Sequence, residues 1–237
     1  MLYPSIVENL VTYASGCGMR TELVTNCNWA ESHEKVRGTL MRLRGAGLDV
    51  VNISADDFHQ AFIPFERVAN VYNAAKELGF KIVVLSALSK GDRGLADVAA
   101  VLGDPLPPLG EAEDSQVIGI ESGFTPIGRG ASLSKSAWYP DASPLTGGCG
   151  GVLRDLGIKP SGEVLPCCSA TATVPGFGLG NLDDWDLNEL LEKAWQSEIF
   201  KVLAEKGPMG LVKGSLKGSY VNRCHLCSEV VADLLEG

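Results

Sequence analysis

Four cysteines in the last third of the chain fall into two pairs, Cys149-x12-Gly162-x4-Cys167 and, after a long gap, Cys224-x2-Cys227. Thiolates are soft ligands, and four that converge on one point hold a metal ion or an iron–sulfur cluster. A β-hairpin turning at Ser161-Gly162 would bring Cys149 and Cys167 side by side. A tight Cys-x2-Cys loop would supply the second pair through a turn too short for an unstrained disulfide. Disulfides, or cysteines scattered through a core, are the bland alternatives. The cysteine total of seven is odd and no export signal is evident, which points to the reducing cytoplasm, where cysteine clusters more often bind metal.

Other reactive side chains make weaker patterns. Cys168 competes with Cys167 as a ligand, and the Gly-x4-Cys frame favours Cys167. His225 sits between Cys224 and Cys227 but is read as a bystander, because the pair already supplies two ligands. His59 follows Asp56-Asp57-Phe58 and is either an acid/base or metal-proximal group or a capping residue; Cys17 and Cys27 read as small buried residues. No Walker-type phosphate loop is present, and no Ser/His/Asp set can be assembled, so no catalytic residue is assigned. The net charge of −9, without a basic run, argues against nucleic-acid binding. No apolar run reaches membrane-spanning length.

The elements that must position these groups alternate in the first half. Helices are expected over residues 4–15, Ser32 to Arg44 (stopping at Gly45) and Pro64 to Leu78, with a looser one from Leu95 to Leu102. Strands are expected at Thr21–Thr25, Leu48–Ser54, Phe80–Leu85 and Val117–Ile120. Near-continuous Val/Ile/Leu runs joined by helices are what a parallel sheet buried on both faces requires. Each strand ends in a small polar cluster, namely Thr25-Asn26, Ser54-Ala55-Asp56-Asp57, Ser86 and Glu121-Ser122. Ligands of parallel α/β folds bind at that rim. A Gly/Pro/Ser-rich stretch from Phe124 to Gly151 leads into the cysteine region, where Val152–Ile158 and Glu163–Leu165 read as hairpin strands. A helix begins at Asp186, with Leu187, Leu190, Leu191, Ala194 and Trp195 on one face, and continues towards Leu203.

Together these motifs resemble radical S-adenosylmethionine (SAM) enzymes. The residues that carry the resemblance are Leu23-Val24-Thr25-Asn26-Cys27, Val51-Asn52-Ile53-Ser54-Ala55-Asp56, Gly128-Arg129-Gly130, the Pro160–Cys167 frame, Gly180-Asn181-Leu182 and Cys224-x2-Cys227. Residues 1–130 resemble the later βα units of their partial TIM barrel, an incomplete parallel sheet. Residues 131–237 resemble a linker and a small cysteine-rich α+β domain of the SPASM or twitch kind.

The resemblance implies an auxiliary [4Fe–4S] cluster on Cys149, Cys167, Cys224 and Cys227, and SAM bound in the complete enzyme by Asn26, Ser54, Asp56 and Arg129. Ser54 and Asp56 would face the ribose or amino-acid part, and Arg129 would pair with a carboxylate. It implies a peptide or small-molecule substrate and an electron-donor protein. The Cys-x3-Cys-x2-Cys triplet that holds the SAM-cleaving cluster in that family is absent, so the chain resembles a member that starts after the second strand, either truncated or half of a split enzyme. A non-catalytic Fe–S electron-transfer or scaffold chain, and a structural zinc protein, are the other two readings.

Overall fold

The computed structural model describes residues 3–111, 115–139, 144–169, 171, 174–216 and 218–236. The chain divides into two compact units, Met1–Ser122 and Gly123–Gly237.

In the first unit α1 (Pro4–Gly16), β1 (Glu22–Thr25), α2 (His33–Ala46), β2 (Val50–Ser54), α3 (Asp57–Gln60), α4 (Phe65–Glu77), β3 (Lys81–Leu88), α5 (Leu95–Leu102) and β4 (Val117–Gly123) follow in order. The Ser32 hydroxyl caps α2 by accepting from the Lys35 N–H. This helix runs past the expected stop at Gly45 and ends at Gly47, whose φ of 106° is a left-handed angle that only glycine adopts without strain. The short α3 was not anticipated. Asp56 nucleates it by accepting from the His59 N–H at 3.0 Å.

The strands lie in the order β1-β2-β3-β4, an open sheet as expected. Strand β2 runs parallel to both β1 and β3. Strand β4 joins the outer side of β3, where the Ile82 N–H donates to the Gln116 carbonyl at 2.8 Å. The register places Leu23, Val51, Ile53, Ile82 and Val84 on one face, and these pack with residues of α1, α2, α4 and α5 in a single core. The other face differs from the expectation of two helix-covered surfaces. Within the first unit it carries the buried Val50 and Asn52, the half-buried Val83 and Leu85, and Val24, 59% exposed. Apolar runs in a strand report its two faces without saying what covers each.

The second unit contains β5 (Gly157–Ile158), β6 (Glu163–Leu165), β7 (Gly180–Asn181), α6 (Leu187–Gln196), α7 (Glu198–Lys206) and α8 (Arg223–Glu236). The three strands form an antiparallel sheet in the order β5-β6-β7. The turn at Ser161-Gly162 is as expected, with the Gly162 N–H donating to the Lys159 carbonyl at 2.9 Å. The first hairpin strand shrinks from the expected Val152–Ile158 to two residues. Residues 151–154 instead form a turn in which the Asp155 N–H donates to the Gly151 carbonyl at 2.9 Å.

The long helix expected from Asp186 is two helices. Asp186 and Glu189 form a reciprocal capping box at the start of α6. Ser197, at ψ 130°, is extended and breaks the run before α7. Leu190 and Ala194 are buried, whereas Trp195, placed on the same face by sequence, is 46% exposed. The cores of α6, α7 and α8 meet at Ala194, Phe200, Leu203 and Val231, with Val152, Leu153 and Phe177 against them. Cys224 and Cys227 lie in the first turn of α8, not in a loop. Among the described residues no helix is long and apolar enough to cross a membrane.

Candidate metal centre

Three separate segments deliver the cysteines to one place. On α8 the spacing of three residues sets Cys224 and Cys227 one above the other on the same helix face. Cys167 follows β6 directly. Cys149 is not on the hairpin, as the sequence suggested, but in the loop before it, and its N–H donates to the Leu203 carbonyl of α7 at 2.9 Å. A further bond, from the Leu153 N–H to the Pro166 carbonyl at 2.8 Å, ties the turn after Cys149 to the residue before Cys167.

The loop carrying Cys149 is fixed from two sides. Gly148 lies so close to the end of α7 that a Cβ there would strike the Ala204 carbonyl oxygen. Arg223, the first residue of α8, spreads its guanidinium over the loop. It donates to the carbonyls of Gly148 (Nη1, 2.8 Å), Thr146 (Nη2, 2.9 Å) and Pro144 (Nη2, 3.1 Å; Nε, 3.3 Å). A cation at a helix N-terminus opposes the macrodipole, so local helix energetics do not account for it. It fastens the segment bearing one thiol to the helix bearing two.

The result is an apolar cavity of ≈ 190 Å³ lined by Cys149, Cys167, Cys168, Cys224 and Cys227, with Val152, Phe177 and Leu203 among its walls. That exceeds the ~150 Å³ of an engineered cavity that accepts benzene. All five cysteines are free thiols. Burial pushes the Cys227 thiol up to about 12; Thr171 opposes this by hydrogen bonding, and the neighbouring Cys167, Cys224 and Cys149 add to it. Cys224 is exposed as a residue, yet desolvation of its thiol is the largest cause of a pKa raised above 9.0, with a hydrogen bond to Ser169 opposing. Several thiolates gathered in an apolar wall repel one another and are tolerable only around a cationic core, which ionises coordinating thiols outright.

Among the described residues no three His, Cys, Asp or Glu side chains close tightly enough to hold a single metal ion. Four soft sulfur donors on one cavity wall are the ligand set of an iron–sulfur cluster and of a structural zinc ion alike.

His225 is buried and fully engaged. Its Nδ1 accepts from the Val221 N–H at 3.3 Å, so Nε2 carries the proton and donates to Glu229 Oε1 at 3.1 Å. The ring is held edge-on by Trp138 and Tyr220. The bystander reading fits this arrangement.

Of the residues assigned to SAM, Asn26, Ser54 and Asp56 lie in the first unit and Arg129 in the second. Asn26, exposed after β1, and Ser54, half-buried at the end of β2, line one open cleft of ≈ 710 Å³ with Thr25, His59 and Arg67. Asp56 is buried and bound to His59, whose Nδ1 lies 2.8 and 2.9 Å from its two carboxylate oxygens. The capping and acid/base alternatives for this pair are therefore both compatible with the geometry. Arg129 is exposed in a 3-10 turn (Gly128–Ser132) of the second unit. Cys27 is buried, as expected, with its thiol pushed up to about 12, but Cys17 is exposed at the end of α1.

Arg223, Ser169 and Thr171 escaped the sequence reading. For Arg223 a signal existed, a basic residue at the start of a helix beside a ligand pair and a distant Gly-Gly loop. The two hydroxyls carried none.

Residues 149–228 match the family model of SPASM, described as an iron–sulfur cluster-binding domain, and the match spans all four paired cysteines. No curated protein sequence matches the chain.

Proposed function

We propose that the chain is the later portion of a radical SAM enzyme whose second unit binds an auxiliary [4Fe–4S] cluster through Cys149, Cys167, Cys224 and Cys227. The observation that carries this is the gathering of those thiols around one apolar cavity, inside a segment matching an iron–sulfur domain. The protein's part is to hold four thiolates, to exclude water with Val152, Phe177 and Leu203, and to lock the ligand segments together through Arg223. Bound there, the cluster would supply one-electron chemistry or a handle for substrate.

The first unit supports the partial-barrel part of this reading by its one-sided helix layer. A doubly wound sheet carries helices on both faces, whereas a barrel wall carries them outside only. Its strand-end cleft, with Asn26 and Ser54, is where SAM and a peptide or small-molecule substrate would meet. Strand β1 is the outer strand of the sheet, and Tyr3 is exposed together with Ile6, Leu10 and Tyr13 of the helix α1 that follows it. Spacings of three and four residues make this one stripe, the kind of surface that further βα units, in a longer or a split chain, would cover. Such units would bring the missing cysteine triplet. The reading includes a cytoplasmic location and a protein electron donor.

Anaerobic reconstitution with iron and sulfide tests the centre. The wild-type chain should take up about four irons. The double variant Cys224→Ala/Cys227→Ala should take up none, and Cys17→Ala or Cys27→Ala should match wild type. Comparing Cys167→Ala with Cys168→Ala identifies the ligand between those neighbours. A colourless protein with one zinc would overturn the cluster reading.

A further inference from the structure

Beside the cysteine cavity, the stretch that follows β6 places two hydroxyls, those of Ser169 and Thr171, against the ligand sulfurs. Ser169 Oγ lies 3.1 Å from Cys167 Sγ. Ser169 and Thr171 line the same cavity as Cys224 and Cys227, and hydrogen bonding from these hydroxyls opposes the rise that burial causes in those two thiols. Each hydroxyl carries one proton, so two hydrogen bonds can be donated to the ligand sulfurs, one from Ser169 and one from Thr171. Thr171 is 1% exposed, so water does not compete there.

Either atom of the Cys167–Ser169 pair can donate while the sulfur is a thiol. Once the sulfur is a metal-bound thiolate it has no proton, and the hydroxyl alone can donate. The Thr171 N–H already donates to Ser169 Oγ at 3.3 Å, filling an acceptor site on that oxygen and leaving its proton for a neighbour. Thr171 Oγ1, 3.3 Å away, is one such neighbour. An anionic sulfur is the stronger acceptor and wins the proton.

We infer that Ser169 and Thr171 are positioning residues that raise the reduction potential of the cluster held by these cysteines, by donating hydrogen bonds to its ligand sulfurs. The inference rests on the cluster assignment proposed above. Reduction adds one electron to the cluster and increases the negative charge on its sulfurs. A donor aimed at sulfur therefore stabilises the reduced form more than the oxidised one.

The test uses the full chain, reconstituted anaerobically and titrated with dithionite as the electron source, with the midpoint read by electron paramagnetic resonance. Ser169→Ala and Thr171→Val should keep their iron content while their midpoints move to more negative potential. A tenfold change in the reduction equilibrium for each bond lost corresponds to ~59 mV for one electron. The double variant should move further, and Ser169→Thr, which keeps the hydroxyl, should stay near wild type. Unchanged midpoints in iron-loaded Ser169→Ala and Thr171→Val would overturn the inference while leaving the cluster assignment intact. If Ser169→Ala fails to load, Thr171→Val decides alone. A wild-type chain that takes up no iron would overturn the assignment and this inference with it.

Discussion

Replacing Arg223 with Ala removes a guanidinium that reaches three carbonyl oxygens through four hydrogen bonds. The bond to Gly148, 2.8 Å and part-buried, has no ready replacement, whereas the carbonyls of Pro144 and Thr146 are accessible to water. A hydrogen bond to a charged group contributes about 1.5–3 kcal/mol when enclosed and much less when exposed. The expected loss is therefore about 2 kcal/mol, most of it from Gly148. Arg223→Lys should recover less than half, because an ammonium cannot span carbonyls on both sides of a fork. The assay is urea unfolding of the metal-free chain followed by tryptophan fluorescence, which weights the second unit because Trp138, Trp185 and Trp195 lie there and only Trp29 lies in the first. Iron uptake of the same variants should slow, since the loop of Cys149 is no longer fastened to α8. A loss below ~0.5 kcal/mol, the range of ordinary surface changes, or a Lys variant equal to wild type, would refute the clamp.

Gly148→Ala should destabilise the second unit by about 1–3 kcal/mol, as overpacking does, and lower iron content, because the new methyl meets the carbonyls of Ala204 and Glu205. In the metal-free chain the exposed Cys17 and Cys168 should alkylate first at pH 8, and Cys27 and Cys227, with thiols pushed up to about 12, last; peptide mass spectrometry reads the order. Cys27 also predicts an alkaline loss of stability. Its thiol ionises near the ordinary 9.0 when unfolded and near 12 when folded, so its contribution is whole below pH 9 and drains between pH 9 and 12. The slope is at most ~1.4 kcal/mol per pH unit, and Cys27→Ala should flatten the unfolding curve over that window. Finally, the chain alone, reconstituted and reduced, should make no 5′-deoxyadenosine from SAM, because four cysteine ligands leave no open iron site; chromatography showing catalytic product would mean that the cluster is misassigned.

The parallel order of the first unit could be read from the sequence because each strand is a compact Val/Ile/Leu run and each helix between has its own cap or glycine stop. The errors arose where local signals tie. Gly45 and Gly47 are equivalent as letters, and only the left-handed angle at Gly47 separates the stop from a glycine tolerated inside the helix. At Ser197 nothing apolar breaks the periodicity that runs from Leu190 to Leu203, so two helices read as one. Arg223-Cys224-His225-Leu226-Cys227 reads as a metal loop because paired cysteines usually sit in one. Here Asn222 Oδ1 accepts from the His225 N–H at 2.9 Å and starts a helix instead.

The candidate centre divides along the same line between residue type and placement. The candidate ligand set stood out in the sequence because two spaced cysteine pairs are what a cage of soft ligands needs, and the structure brings all four to one cavity. What surrounds the thiols was not, because its members act across distances that no spacing encodes. Arg223 reaches carbonyls more than seventy residues earlier, the Cys149 backbone bonds a helix that follows it by about fifty, and Ser169 and Thr171 are ordinary polar residues until a sulfur lies beside them. The cysteine pattern therefore specifies what can bind, whereas the hydrogen bonds around it set how firmly and at what potential. Substitutions at Ser169, Thr171 and Arg223 can separate those properties in a way that removing a cysteine cannot, since losing a ligand abolishes both.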